Sequence, residues 1–163
     1  MTKFLRTILA VLSVTVMYVS LAPEASAQGP CSLATIAGKW GATLTGTVLF
    51  SGPPTGPGPV PVAAVIRFDI NTAGNVSGTE ARNVGGGFAN ETLKGTVSVN
   101  PNCTGTATVM FFESGALERT SVVSLVFDVL STHVRMVQKS LTLPDGTKLP
   151  VVVTVEGEKL GGS

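Results

Sequence analysis

Residues 93–112 read LKGTVSVNPNCTGTATVMFF, and their reading decides the fold. Leu93, Gly95, Val97 and Val99 alternate with Lys94, Thr96 and Ser98. After Asn100-Pro101-Asn102, the residues Cys103, Gly105, Ala107, Val109 and Phe111 alternate with Thr104, Thr106 and Thr108. A period of two places one set on an inner face and the other outside, as in a half-buried β-strand. The Asn-Pro-Asn tripeptide has the chemistry of a turn. The stretch predicts two strands, Glu91 to Val99 and Cys103 to Phe112, joined by a short link.

The same pattern recurs along the chain every 8 to 14 residues. Upstream lie Trp40 to Phe50, Val62 to Ile70 and a weaker run, Val76 to Arg82. Downstream lie Leu117 to Leu130, Thr132 to Leu141 and Leu149 to Lys159. Turn-forming residues separate them at Asn71–Asn75, Gly85–Gly87, Glu113–Gly115 and Pro144–Gly146. The only helical candidate is Cys31 to Ala37, a single turn. Eight strands with short links predict an all-β fold, an antiparallel eight-stranded up-and-down barrel, with a β-sandwich as the alternative. Gly46, Gly78, Gly95 and Gly105 fall on the inner face, where they permit barrel curvature or are weak points in sandwich strands.

The N-terminus has the pattern of a secretory signal peptide over residues 1–27. Lys3 and Arg6 supply the positive start, Ile8 to Leu21 is uncharged, and Ala25-Ser26-Ala27 offers a cleavage site. The uncharged run is shorter than the ~20 residues that span a bilayer. The pattern suits a bacterial Sec signal, so the expected location is secreted or periplasmic, with residues 28–163 forming one domain. The whole chain has eleven Lys+Arg and ten Asp+Glu; loss of Lys3, Arg6 and Glu24 leaves nine of each. A neutral domain without a basic cluster has no electrostatic footprint for nucleic acid or for anionic membranes. The mature part has one Trp, no Tyr and no terminal aromatic residue. It therefore lacks the aromatic girdles of an outer-membrane barrel, and no integral membrane role is expected after signal cleavage.

Cys31 and Cys103 are the only cysteines. In an oxidising compartment such a pair reads as a disulfide, closing a loop of about 70 residues for roughly 4 kcal/mol in the chain-entropy model. A catalytic or metal-binding thiol is the other reading; neither has a nearby His or a Cys-x-x-Cys partner.

Gly38-Lys39-Trp40 resembles the Gly-x-Trp element that opens lipocalins and related calycin barrels. In that family the Trp plugs the closed end of the barrel, which implies a barrel-closing role for Trp40; a plain core Trp is the alternative. Phe127-Asp128-Val129 loosely resembles the Thr-Asp-Tyr element of the same family. Residues 93–106 are similar to a stretch found in small secreted bacterial proteins of uncharacterised role, which also carry a Cys shortly before Gly-x-Trp. That resemblance implies a Cys-to-Cys link tying the N-terminal segment to the barrel. Allene oxide cyclase-like barrels share the architecture, without a catalytic motif that matches here.

Chemistry-bearing residues are sparse. His133 is the only histidine, and although Asp128 and Ser131 are close, no nucleophile elbow accompanies them; it reads as a strand-end surface residue. One His and scattered carboxylates do not supply a metal site, so neither metal nor cofactor is expected. Glu80, Glu91, Glu113, Glu118 and Glu156 are expected to be mostly solvated. Glu80 and Arg82, however, share the inner phase of Val76 and Gly78. His133, Arg135, Val137 and Lys139 share one face of their strand, opposite Val134 and Met136. If those two point inward the charges lie outside; otherwise the lumen is polar. The loop Ser51 to Pro61 holds five prolines and could gate a cavity, dock a partner or simply connect.

The expectation is a secreted or periplasmic barrel that binds a small apolar ligand. Its candidate lining is Leu44, Val48, Ile66, Phe68, Val97, Val109, Phe111, Leu125 and Val153. A structural or interaction protein with a filled core is the alternative. A cyclase- or isomerase-like enzyme acting on an apolar substrate is a further one, and it requires a buried carboxylate or His133 facing a cavity.

Overall fold

The computed structural model describes residues 30–49 and 58–161. The signal-like segment and most of the Pro-rich loop lie outside the described residues.

Nine strands form one antiparallel sheet: β1 (Gly38–Val48), β2 (Val60–Ile70), β3 (Asn75–Val84), β4 (Gly87–Val99), β5 (Thr104–Glu113), β6 (Ala116–Phe127), β7 (His133–Thr142), β8 (Lys148–Leu149) and β9 (Val151–Lys159). Each strand from β1 to β7 pairs with the next, β9 pairs with both β1 and β7, and β8 is a two-residue addition to β7. Strands β1 to β7 and β9 therefore close into an eight-stranded up-and-down barrel rather than a sandwich, an architecture consistent with a lipocalin-like fold. Closure satisfies the backbone groups that an open sheet leaves at its edges.

The β3 run, weak in sequence, is ten residues long because β2 and β4 pair with it from both sides. Two other expectations are corrected. The sixth strand stops at Phe127 instead of Leu130, and Val129 and Leu130 are exposed. Its end is set by Asp128, whose carboxylate accepts the N–H groups of Thr132 (2.6 Å) and His133 (2.9 Å) and so builds a tight turn. Those bonds, that of the His133 N–H first, hold the Asp128 carboxyl at about 2. The last strand is broken at Pro150, which has no N–H for the ladder.

The N-terminal segment packs at one end of the barrel. Helix α1 (Leu33–Ile36) is a single turn capped by Ser32 and Thr35, whose side chains accept each other's backbone N–H. The Cys31–Cys103 disulfide ties this segment to the β4–β5 turn. Ile36 and Trp40 are fully buried. The Trp40 indole N–H donates to the Ile36 carbonyl at 3.0 Å, and its ring lies against Phe68 and Phe127. Trp40 thus packs beneath the N-terminal turn, between it and the rings of Phe68 and Phe127. Inner glycines let the wall curve: a Cβ at Gly78 would lie 2.1 Å from the Arg67 carbonyl oxygen of the neighbouring strand.

Replacing Trp40 should be costly. Trp40→Ala is expected to lose about 3–5 kcal/mol, the usual range for emptying a large aromatic site, and Trp40→Phe markedly less. Urea unfolding followed by circular dichroism checks this; an unchanged midpoint for Trp40→Ala would remove this packing from the account.

Candidate functional site: a two-chamber lumen with a buried charge layer

Alternation along the strands fills the lumen from every side. Above Trp40 lies an inner chamber of about 80 Å³. Its walls are hydrocarbon apart from Ser121 and Gln138, with Phe68, Ile70, Val76 and Phe127 toward Trp40. An outer chamber of about 190 Å³ adjoins it and is bounded toward the rim by Val48, Val62, Val84, Leu141, Leu143 and Leu149. Leu44, Phe111, Ser121 and Gln138 line both chambers, so the two meet at that level.

All nine candidate lining residues face this space. Leu44, Ile66, Phe68, Val97, Val109, Phe111 and Leu125 line the inner chamber, and Val48 and Val153 line the outer one. Val134 and Met136 also face the inner chamber, leaving His133, Arg135, Val137 and Lys139 on the outside.

The polar part of the lumen comes from β3, β4 and β6. Glu80 and Glu91 are partners across the β3–β4 ladder, and both are buried, 2% and 3% exposed. Glu113, Glu118 and Glu156 are not buried, so these two are the exceptions to the expectation that most of the carboxylates are solvated; barrel closure takes them out of water. Two arginines compensate. Arg119 donates to Glu80 through Nη2 and to Glu91 through Nη1, while Arg82 Nε donates to Glu91 Oε1 at 2.6 Å. The Arg119 guanidinium also lies 3.9 Å from the centre of the Phe111 ring. Gln138 Nε2 donates to the buried Ser121 Oγ at 2.9 Å, completing the polar band.

Two bulges flank these groups. In the β5–β6 ladder Arg119 keeps the regular register opposite Phe111, in phase with inward Ser121 and Val123; the register shifts just beyond that pair, where Leu117 faces Phe112 and Glu118 is the extra residue. In β6–β7 the register shifts between Val122 and Val123, which lets both Gln138 and Leu141 face the lumen. Glu91 and Arg119 went unrecognised as luminal in the sequence, although strict alternation back from Leu93 and Leu125 reaches both. The partner relation of Glu80 and Glu91 depends on register and had no local signal.

The two carboxylates respond to burial in opposite ways. Burial opposes ionisation of Glu91, yet hydrogen bonds and charge from Arg119, joined by Arg82, outweigh it and hold the carboxyl below its usual range. For Glu80, burial dominates, Arg119 only partly opposes it, and the neighbouring Glu91 carboxylate adds to it, so its pKa is pushed up to about 7. Among the described residues, Glu80 Oε1 is the buried side-chain polar atom that lacks a partner.

Among the described residues, no group of three or more potential metal ligands comes together. Asp128 lies 3.6 Å from the ring of His133, which is 62% exposed. Ser131 is buried and bonds instead toward Thr35, so these three residues form no catalytic relay. No helix among the described residues is long and apolar enough to cross a membrane. The sequence matches no protein-family model and no curated protein.

The raised Glu80 pKa predicts a stability profile. The folded protein keeps a proton on Glu80 that the unfolded chain, near the ordinary value of 4.5, releases. Its contribution is therefore full below pH 4.5 and is lost as pH rises through about 7. Stability should fall by about 3 kcal/mol between pH 5 and pH 8. Glu80→Gln, which mimics the protonated side chain, should flatten that fall. Urea titrations at both pH values check it; a wild-type slope retained in the variant would assign the effect elsewhere.

Proposed function

We propose that this is an exported β-barrel protein, secreted or periplasmic, that holds a small ligand with an apolar body in its lumen. The observation that carries the reading is the inner chamber, a space of about 80 Å³ bounded almost wholly by hydrocarbon. At roughly 24 cal/mol per Å³, leaving such a space empty costs about 2 kcal/mol relative to a filled core. Natural cores are packed closely enough that a void of this size calls for an occupant or a reason. Each methylene that enters from water contributes about 0.8 kcal/mol, so a short hydrocarbon segment offsets the cost.

The disulfide supports an oxidising compartment, and the leader-like residues 1–27 support export by a bacterial Sec route. The packing of Trp40 and the barrel support kinship with the calycins. A second reading, acid–base chemistry on an apolar substrate, has one observation in its favour: Glu80 binds its proton near neutrality beside the cavity.

Native mass spectrometry of protein recovered from its own host tests both. Binding alone predicts a co-purifying lipophile that elutes chemically unchanged, and uptake of lipophilic probes once it is stripped. Conversion of the eluted compound on return to the protein would favour the enzyme. Ligand-free protein that takes up no probe would eliminate the two readings together.

A further inference from the structure

We propose that the lumen selects a neutral amphiphile with a hydroxyl head, whose O–H donates to Glu80 Oε1 while its hydrocarbon chain fills the inner chamber. This rests on reading the lumen as a binding site and adds the chemistry of the head group.

Three observations lead to the hydroxyl. Glu80 Oε1 is buried and unpartnered, while the other oxygen of the same carboxylate is already engaged by Arg119. A buried acceptor left unmet is costly, so this atom calls for a donor. Next, the charges of the network already balance, two arginines against two glutamates, when all four are ionised. A carboxylate head would add negative charge beside Glu118 on the same outer chamber, and an ammonium head on Oε1 would sit against the Arg119 guanidinium that holds the other oxygen of Glu80. A neutral donor fills the vacancy without disturbing that balance. Finally, Ser121 and Gln138 are bonded to each other where the chambers meet, and among the described residues Glu80 Oε1 is the fully buried atom of the polar band without a partner.

Donation to Oε1 stabilises the ionised carboxylate, so binding and proton release are coupled. The groups that face Glu80 are Glu91 from β4, Arg119 and Glu118 from β6, Arg82 from its own strand and Gln138 from β7; Ala64 and Ile66 of β2 bring no charge. Alcohol binding should therefore strengthen a few-fold from pH 6 to pH 8, as Glu80 gives up its proton through about 7.

The test compares four probes with the full mature chain, by NMR titration of the luminal methyl groups. The probes are 1-hexanol, its isomer methyl pentyl ether, hexanoate and hexylammonium. Hexanol is expected to bind about tenfold or more tightly than each of the others, the scale of one hydrogen bond to a charged group. In Glu80→Gln its advantage over the ether should shrink to within about threefold. Equal binding of ether and alcohol to the wild type, preference for a charged head, or an advantage that persists in the variant would overturn the hydroxyl assignment alone. Failure of all four probes to bind would overturn the lumen-binding reading beneath it.

Discussion

The structure depends on a single closure: β9 pairs with β1 on one side and with β7 on the other. Until that ladder forms, residues of the inner phase lie on one face of a curved open sheet, and polar ones among them can reach water. Once it forms, every inner-phase residue is committed to the lumen whatever its chemistry. The barrel therefore buries Glu80 and Glu91 along with Leu93 and Val97. The same closure makes the two ends unequal, because the disulfide-tethered N-terminal turn and Trp40 occupy one of them.

Energetically, the lumen is an unusual compromise. Buried charge pairs rarely improve on apolar side chains of similar volume, since desolvation offsets most of their attraction. Here Arg119 reaches two carboxylates at once and stacks on Phe111, and Arg82 takes a remaining oxygen of Glu91. Burial raises both carboxyls; at Glu91 the bonds and charge of Arg119, joined by Arg82, outweigh it, whereas at Glu80 it prevails over Arg119 alone.

Much of the fold was legible because a barrel is written in period-two alternation. The stretch 93–112 gave two strands, a turn and an inner face, and the eight-strand count followed from its recurrence. Alternation also placed the apolar lining, since Leu44, Ile66 and Val109 needed no partner to declare their face. Where single side chains override the pattern, it failed. Asp128 ends β6 by accepting the backbone N–H groups of Thr132 and His133, which folds the chain into a turn, and Pro150 interrupts the last strand for want of an N–H. The charge layer was only half visible. The phase of Glu80 and Arg82 was noticeable, but bringing Glu91 and Arg119 to them needs the β3–β4 and β5–β6 registers, neither of which has a signature in one strand alone.

The placement of the charges gives the lumen two unlike walls. Glu80, Arg82, Glu91 and Arg119 all come from β3, β4 and β6, one contiguous arc of the barrel. The opposite arc, β1, β2 and β9, contributes Leu44, Val48, Val62, Ile66, Val151 and Val153 at the corresponding levels. Side chains on the polar arc are held by one another, and no hydrogen bond ties them across to the apolar arc among the described residues. A filled core would interleave both arcs to native density. Instead the polar groups bond laterally along their own wall, and the space they leave unfilled continues past them into the inner chamber. That lateral bonding explains how a barrel of ordinary size, with an interior its side chains could fill, keeps part of it open.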